Sequence, residues 1–158
     1  MRRLALLSSA ILFVACSKAD NPPPDTGMAA APAPAPVPPA PAPISLSAVA
    51  GKYDVSGKYE GTDSTVVKYV LTTTADTTGW SITFPNRKPV PVHIVSVAGD
   101  SIVMASGPYE SAIRKGVMVT TNTVNRLQDG KLVGRTVAHY AVKGPDSVRI
   151  ITSEGVRK

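Results

Sequence analysis

Proline decides where this chain can fold. Between Asn21 and Pro43 the sequence reads NPPPDTGMAAAPAPAPVPPAPAP and carries ten of the fifteen prolines. Each fixes φ and removes an amide donor, so neither helix nor sheet runs through the tract and an extended polyproline II rod is favoured. At about 3.1 Å per residue, Pro22 to Pro43 reaches at most roughly 70 Å, as a semi-rigid spacer. Such tracts also serve as ligands for aromatic-grooved domains, but the spacer is the simpler reading. Folding is thereby confined to residues 44–158, enough for one core without disulfides or metals.

Upstream of the tract lies a different composition. Met1-Arg2-Arg3 is a cationic start, and Leu4 to Ala15 is mostly apolar, broken only by Ser8 and Ser9. A helix of that length spans about 18 Å, short of the roughly 30 Å of bilayer hydrocarbon, so the stretch reads as a secretory leader and not as a permanent span. It ends in Phe13-Val14-Ala15-Cys16, and Cys16 is the only cysteine in the chain. A lone thiol in an exported protein has no disulfide partner.

FVAC resembles the lipobox of bacterial lipoproteins, with Phe13 where an aliphatic residue is usual. The resemblance implies cleavage before Cys16, whose thiol carries a diacylglycerol, and a multi-chain anchor that holds firmly to a membrane. Ser17 after the cysteine implies, by the same resemblance, sorting to the outer membrane, facing the periplasm. The expected organisation is a lipoprotein signal peptide at 1–15, a lipid-anchored tether at 16–43 and a folded domain at 44–158.

Beyond Pro43 the hydrophobic period becomes two. TVVKYVLTTT alternates around Val67, Tyr69 and Leu71, and GWSITFP sets Trp80, Ile82 and Phe84 on one face. Further strands are expected at Gly51–Tyr59, Val90–Val97, Ser101–Ser106, Val117–Leu127, Lys131–Val142 and Ser147–Val156. Gly, Asn and Asp punctuate the connections, as in AGD, QDG and KGPD, which suits tight reversals. The segment 107–116 is compatible with a short helix, a loop lid or another strand. With no crossover helices, the strands pair antiparallel as a meander. The fold class is all-β, an eight-stranded barrel preferred over a two-sheet sandwich because closure leaves no free edges. GKYDVSGKY at 51–59 is faintly similar to the opening strand of lipocalin-like (calycin) barrels, with Tyr53 in place of their tryptophan. Aromatic residues are too few for the two girdles of a membrane-spanning barrel.

Chemistry is sparse. His93 and His139 are the only histidines and have no metal-ligand spacing around them. Asp63, Asp76, Asp100, Asp129 and Asp146 sit where turns need them. No phosphate-cradling loop or nucleophile elbow is present. No catalytic residue, metal or cofactor is expected. In LVGRTVAHYAV the alternation puts Val133, Arg135, Val137 and His139 on one face. Turned inward, Arg135 and His139 would make a small anion pocket; turned outward, they meet water.

The formal charge of +6 includes Arg2 and Arg3. Within 44–158 the cations are scattered singly, apart from the Arg-Lys pairs 87–88, 114–115 and 157–158. That pattern excludes a nucleic-acid track with interleaved aromatics and leaves a mildly basic surface, or a weak attraction to anionic lipid or cell-wall polymer. The expected role is non-enzymatic: a lipid-anchored envelope protein binding a small apolar or amphipathic ligand or an envelope component. Its rivals are an assembly protein that contacts a partner through its sheet surface, and a hydrolase whose residues converge only in the fold.

Overall fold

The structure, a computed structural model, describes residues 43–158. The leader, Cys16 and the proline tract before Pro43 lie outside the described residues. Eight strands follow one short helix: α1 (Leu46–Val49), β1 (Gly51–Tyr59), β2 (Thr65–Thr73), β3 (Ser81–Thr83), β4 (Val90–Ala98), β5 (Ser101–Glu110), β6 (Met118–Gln128), β7 (Lys131–Tyr140) and β8 (Val148–Arg157). Each strand pairs antiparallel with the next, and β8 returns to pair with β1 from Tyr53–Arg157 to Tyr59–Ile151, closing the barrel. Closure inside 43–158 means that each strand finds both its neighbours there. The β6–β7 reversal shows why the turn residues matter: Asp129 and Gly130 take φ of 50° and 77°, the twist of a type I′ hairpin.

Alternation assigns the two faces. On β7, Leu132, Gly134, Thr136, Ala138 and Tyr140 are buried, whereas Arg135 and His139 are exposed. The interior anion pocket considered for Arg135 and His139 is therefore not formed. Arg135 Nε instead donates to Glu60 Oε1 on the outer wall at 3.0 Å, and Arg126 pairs outside with Asp100 at 3.1 Å. Both charges stay hydrated, which avoids the cost of burying an ion.

The interior divides along its length. At the end where β1 begins, Tyr53, Leu71, Trp80 and Ile102 are almost fully buried, and Val49 of α1 plugs the opening. Burying side chains of this size stabilises by about 2–3 kcal/mol each. Ser45 caps α1, its hydroxyl accepting from Ala48 N at 3.2 Å. Thr73 Oγ1 donates to Val49 O at 2.6 Å, and Arg157 donates to Ala48 O at 2.7 Å and to Tyr53 Oη at 2.7 Å. The plug is thus held by residues from the second and last strands.

At the other end β5 bulges between Ser106 and Tyr109 and continues as strand to Glu110, extending four residues past the expected boundary. Residues 111–117 then cross as a loop. The uncertain 107–116 segment is half strand and half lid.

Candidate functional site: a hydroxyl-lined cavity under the 111–117 loop

Beneath that loop the barrel keeps a cavity of about 50 Å³. Its two sides differ in chemistry. From β6 and β7 come Thr121, Thr123 and Thr136; from β2, β3 and the residue that follows β3, on the opposite side of the barrel, come Tyr69, Ile82 and Phe84. The threonines are there because inward positions of β6 run Val119, Thr121, Thr123, Asn125, all buried. Register then pairs the hydroxyls across strands: Thr123 and Thr136 are 2.8 Å apart, and Thr121 lies 2.7 Å from Ser106. No described buried side-chain polar atom lacks a partner, as a low-dielectric interior requires. Gly134 makes room for this layer, since a Cβ there would meet Asn125 Oδ1 and come within 2.8 Å of Ser153 Oγ.

The aromatic side is a packed cluster. Phe84 lies between Tyr69 and Tyr109, with ring centroids 5.6 and 5.8 Å away and tilted geometry. Burial pushes the Tyr69 phenol up to about 12, with the Ser153 hydroxyl opposing the shift. Tyr109 and Tyr140 are likewise raised, in each case chiefly by burial. The three phenols therefore stay neutral across the physiological range and can give or take a hydrogen bond without carrying charge. No carboxylate or imidazole lines the cavity. What it can recognise is an uncharged group with hydrogen-bonding capacity on one side and apolar surface on the other.

The loop that closes this space is tied on three sides. Ser111 is buried, donates its N–H to Val117 O at 2.8 Å, and accepts at Oγ from Ile113 N and Arg114 N at 3.1 and 3.0 Å. Arg87, from the β3–β4 connection, donates to Glu110 O at 2.7 Å. Arg114 lies 4.3 Å from the centroid of the Tyr140 ring and donates to Asp146 O at 2.9 Å. Ile113 projects into the cavity lining.

The sequence-level candidates lie elsewhere. His93 and His139 are exposed on outer faces of β4 and β7, and no group of three or more potential metal ligands occurs among the described residues. Asp76 builds its turn by accepting from Thr78 N at 2.8 Å, which holds its carboxyl below the usual range. The cavity residues escaped sequence reading because β6 is equally polar on both faces. Cys16 lies outside the described residues. No protein-family model matches the chain, and neither curated proteins nor solved structures provide a match.

Proposed function

We propose that the chain is a lipid-anchored bacterial envelope protein, similar in plan to the lipocalin-like barrels, that binds a small neutral amphipathic molecule and catalyses no reaction. The observation that carries this reading is the pairing of a hydroxyl side and an aromatic side in one uncharged cavity beneath a loop. Outward residues of β1 alternate through Lys52, Asp54, Ser56 and Lys58, all exposed. Mid-strand charge of that kind suits a water-facing barrel, held to its membrane by an acylated Cys16 and not by its own wall. With its phenols neutral and no acid or base facing it, the cavity favours binding over proton transfer.

Size sets the ligand. A cavity of about 150 Å³ accepts benzene, so 50 Å³ takes a few waters or a very small molecule unless the loop lifts. Native mass spectrometry of the protein purified from its own membranes should show a co-purifying neutral species of low mass, lost in Thr121→Val/Thr136→Val. A spectrum with apo protein only, together with no effect of small phenols or short-chain alcohols on the amide resonances of Thr121, Thr123 and Thr136, would sink the reading. The same small volume favours one rival, an assembly protein that uses its outer sheet; in that case crosslinking in intact cells captures a partner on the strands while the cavity stays indifferent to solutes.

A further inference from the structure

The fold brings together charges that the sequence keeps apart. Four connections surround the closed mouth: residues 60–64, 84–89, 110–117 and 141–149. They carry Arg87, Lys88, Arg114, Lys115, Lys143 and Arg149, six cations, against four carboxylates, Glu60, Asp63, Glu110 and Asp146. Residues 43–158 hold 14 Lys plus Arg and 9 Asp plus Glu, a net +5. The rim accounts for +2 of it, but Glu60 and Asp63 are paired with Arg135 and Lys58 of the barrel wall, at 3.0 and 3.5 Å, so the charge left unpaired at the rim is cationic. Arg87 ties two of these connections together, its Nη1 donating to Glu110 O and Ser111 O at 2.7 and 3.1 Å.

Neutralisation at the rim is partial. Arg87 sits 4.0 Å from Glu110, Arg114 sits 4.0 Å from Asp146, and Arg149 also pairs with Asp146. Lys88, Lys115 and Lys143 are exposed and have no carboxylate within 4.0 Å among the described residues. Beside them, the first residues of β6 and β8, Met118 and Val148, are each 42% exposed. Unpaired cations beside protruding aliphatic side chains are the footprint of a surface that meets anionic headgroups and enters the acyl boundary. A polyanionic strand would instead call for a groove with exposed aromatic rings to stack on, and among the described residues none of the large exposed apolar side chains is aromatic.

We infer that the mouth rim is a docking surface for an anionic lipid bilayer, with Lys88, Lys115 and Lys143 as its principal contacts and Met118 and Val148 as its apolar tips. The chain enters the barrel at the other end, where Ile44 N donates to Gly99 O at 2.7 Å. The rim therefore meets lipid with the tether's point of attachment turned away. This inference does not depend on what the cavity holds.

The test uses the chain from Ser17 to Lys158, which lacks Cys16 and so has no acyl chain to bind for it. It should sediment with phosphatidylcholine vesicles containing about one-third phosphatidylglycerol, and not with phosphatidylcholine alone, and release at about 0.5 M salt. The Lys88→Gln/Lys115→Gln/Lys143→Gln variant should lose about fivefold in affinity per lysine, about a hundredfold together. Lys52→Gln/Lys131→Gln/Lys158→Gln, the same charge change away from the rim, should lose less than about threefold. Met118→Ser/Val148→Ser should weaken vesicle binding and leave the thermal midpoint unchanged. Equal binding to neutral vesicles, or an equal loss in both lysine triples, overturns the inference. So does tight binding of soluble polyphosphate without sedimentation on vesicles, which would make the partner a polymer.

Discussion

Thr123 and Thr136 face each other inside the barrel, 2.8 Å apart, and they are 5% and 8% exposed. Valine has nearly the shape of threonine but no hydroxyl, so Thr123→Val removes a partner without opening a void. Thr136 is then left with a buried hydroxyl to satisfy, at a cost of about 1–3 kcal/mol. Thr136→Val strands Thr123 to the same extent. The double variant strands neither and should lie within about 0.5 kcal/mol of the parent, or above it, because replacing both partners of a buried hydrogen bond by apolar groups is nearly neutral. The coupling between the sites is then about 2 kcal/mol or more, larger than the few tenths expected of independent positions.

Urea denaturation of the four proteins at pH 7 measures this, and each kilocalorie should move the thermal midpoint by about 4 °C. Silent single variants would refute the reasoning, by showing that cavity water already satisfies these hydroxyls. A double variant that loses the sum of the singles would refute it as well. A double variant that is stable but no longer carries the small solute would assign the pair to recognition, since stability alone gives no reason to keep it.

Three further outcomes follow from contacts already described. Keeping the Tyr69 phenol neutral favours the folded state: its folded value of about 12 exceeds the unfolded value of about 10. That contribution, on the order of 2–3 kcal/mol, is complete below pH 10 and is lost as pH climbs through 12, so urea midpoints should fall steeply there and fall less in Tyr69→Phe. Arg157→Met keeps the aliphatic stem but removes the bonds to Ala48 O, Ala50 O and Tyr53 Oη. It should cost about 2 kcal/mol and raise amide exchange in α1 more than in β6; uniform exchange would show that the plug does not rely on it. Gly134→Ala should cost about 1–3 kcal/mol by overpacking, and Asn125→Ala in the same chain should recover part of that; an unaltered urea midpoint would mean that the layer gives way freely.

The strands were legible because their inward faces are apolar in the half of the barrel that β1 enters. Trp80, Ile82 and Phe84 alternate in sequence and are buried together, and QDG closes its hairpin with the positive φ that its residues tolerate. Helix α1 was not legible. It is four residues long, well below the length at which a helix stands alone, and its supports come from Thr73 and Arg157, which only the closed barrel brings near. The cavity was hidden for another reason: β6 carries Thr121, Thr123 and Asn125 inward and Thr120, Asn122 and Arg126 outward, so period two reveals a strand but not its sides. Arg135 and His139 were ambiguous in the same way until the burial of Leu132, Thr136 and Tyr140 fixed which face is inner. Arg87-Lys88 and Arg114-Lys115 could be read singly, but their placement at one rim depends on which turns share an end.

The division of the interior bears on how a ligand could enter. Packing around Trp80, Tyr53 and Leu71 holds the plugged half, and none of those three residues lines the cavity. The 111–117 loop is held by backbone hydrogen bonds and by Arg87 and Arg114, groups that water can satisfy when they part. Lifting it exposes Ile113 and one face of Tyr140 and leaves β1–β8 paired, so opening costs a small part of the folding energy, as local unfolding of an exposed loop does. Because the same loop carries Arg114 and Lys115, a bilayer that attracts these cations pulls on the element that covers the cavity. A solute dissolved in that bilayer then meets the barrel at the end where the loop can yield. Cavity occupancy by a sparingly soluble phenol should accordingly rise faster with anionic vesicles than with neutral ones, and Lys115→Gln should narrow the difference.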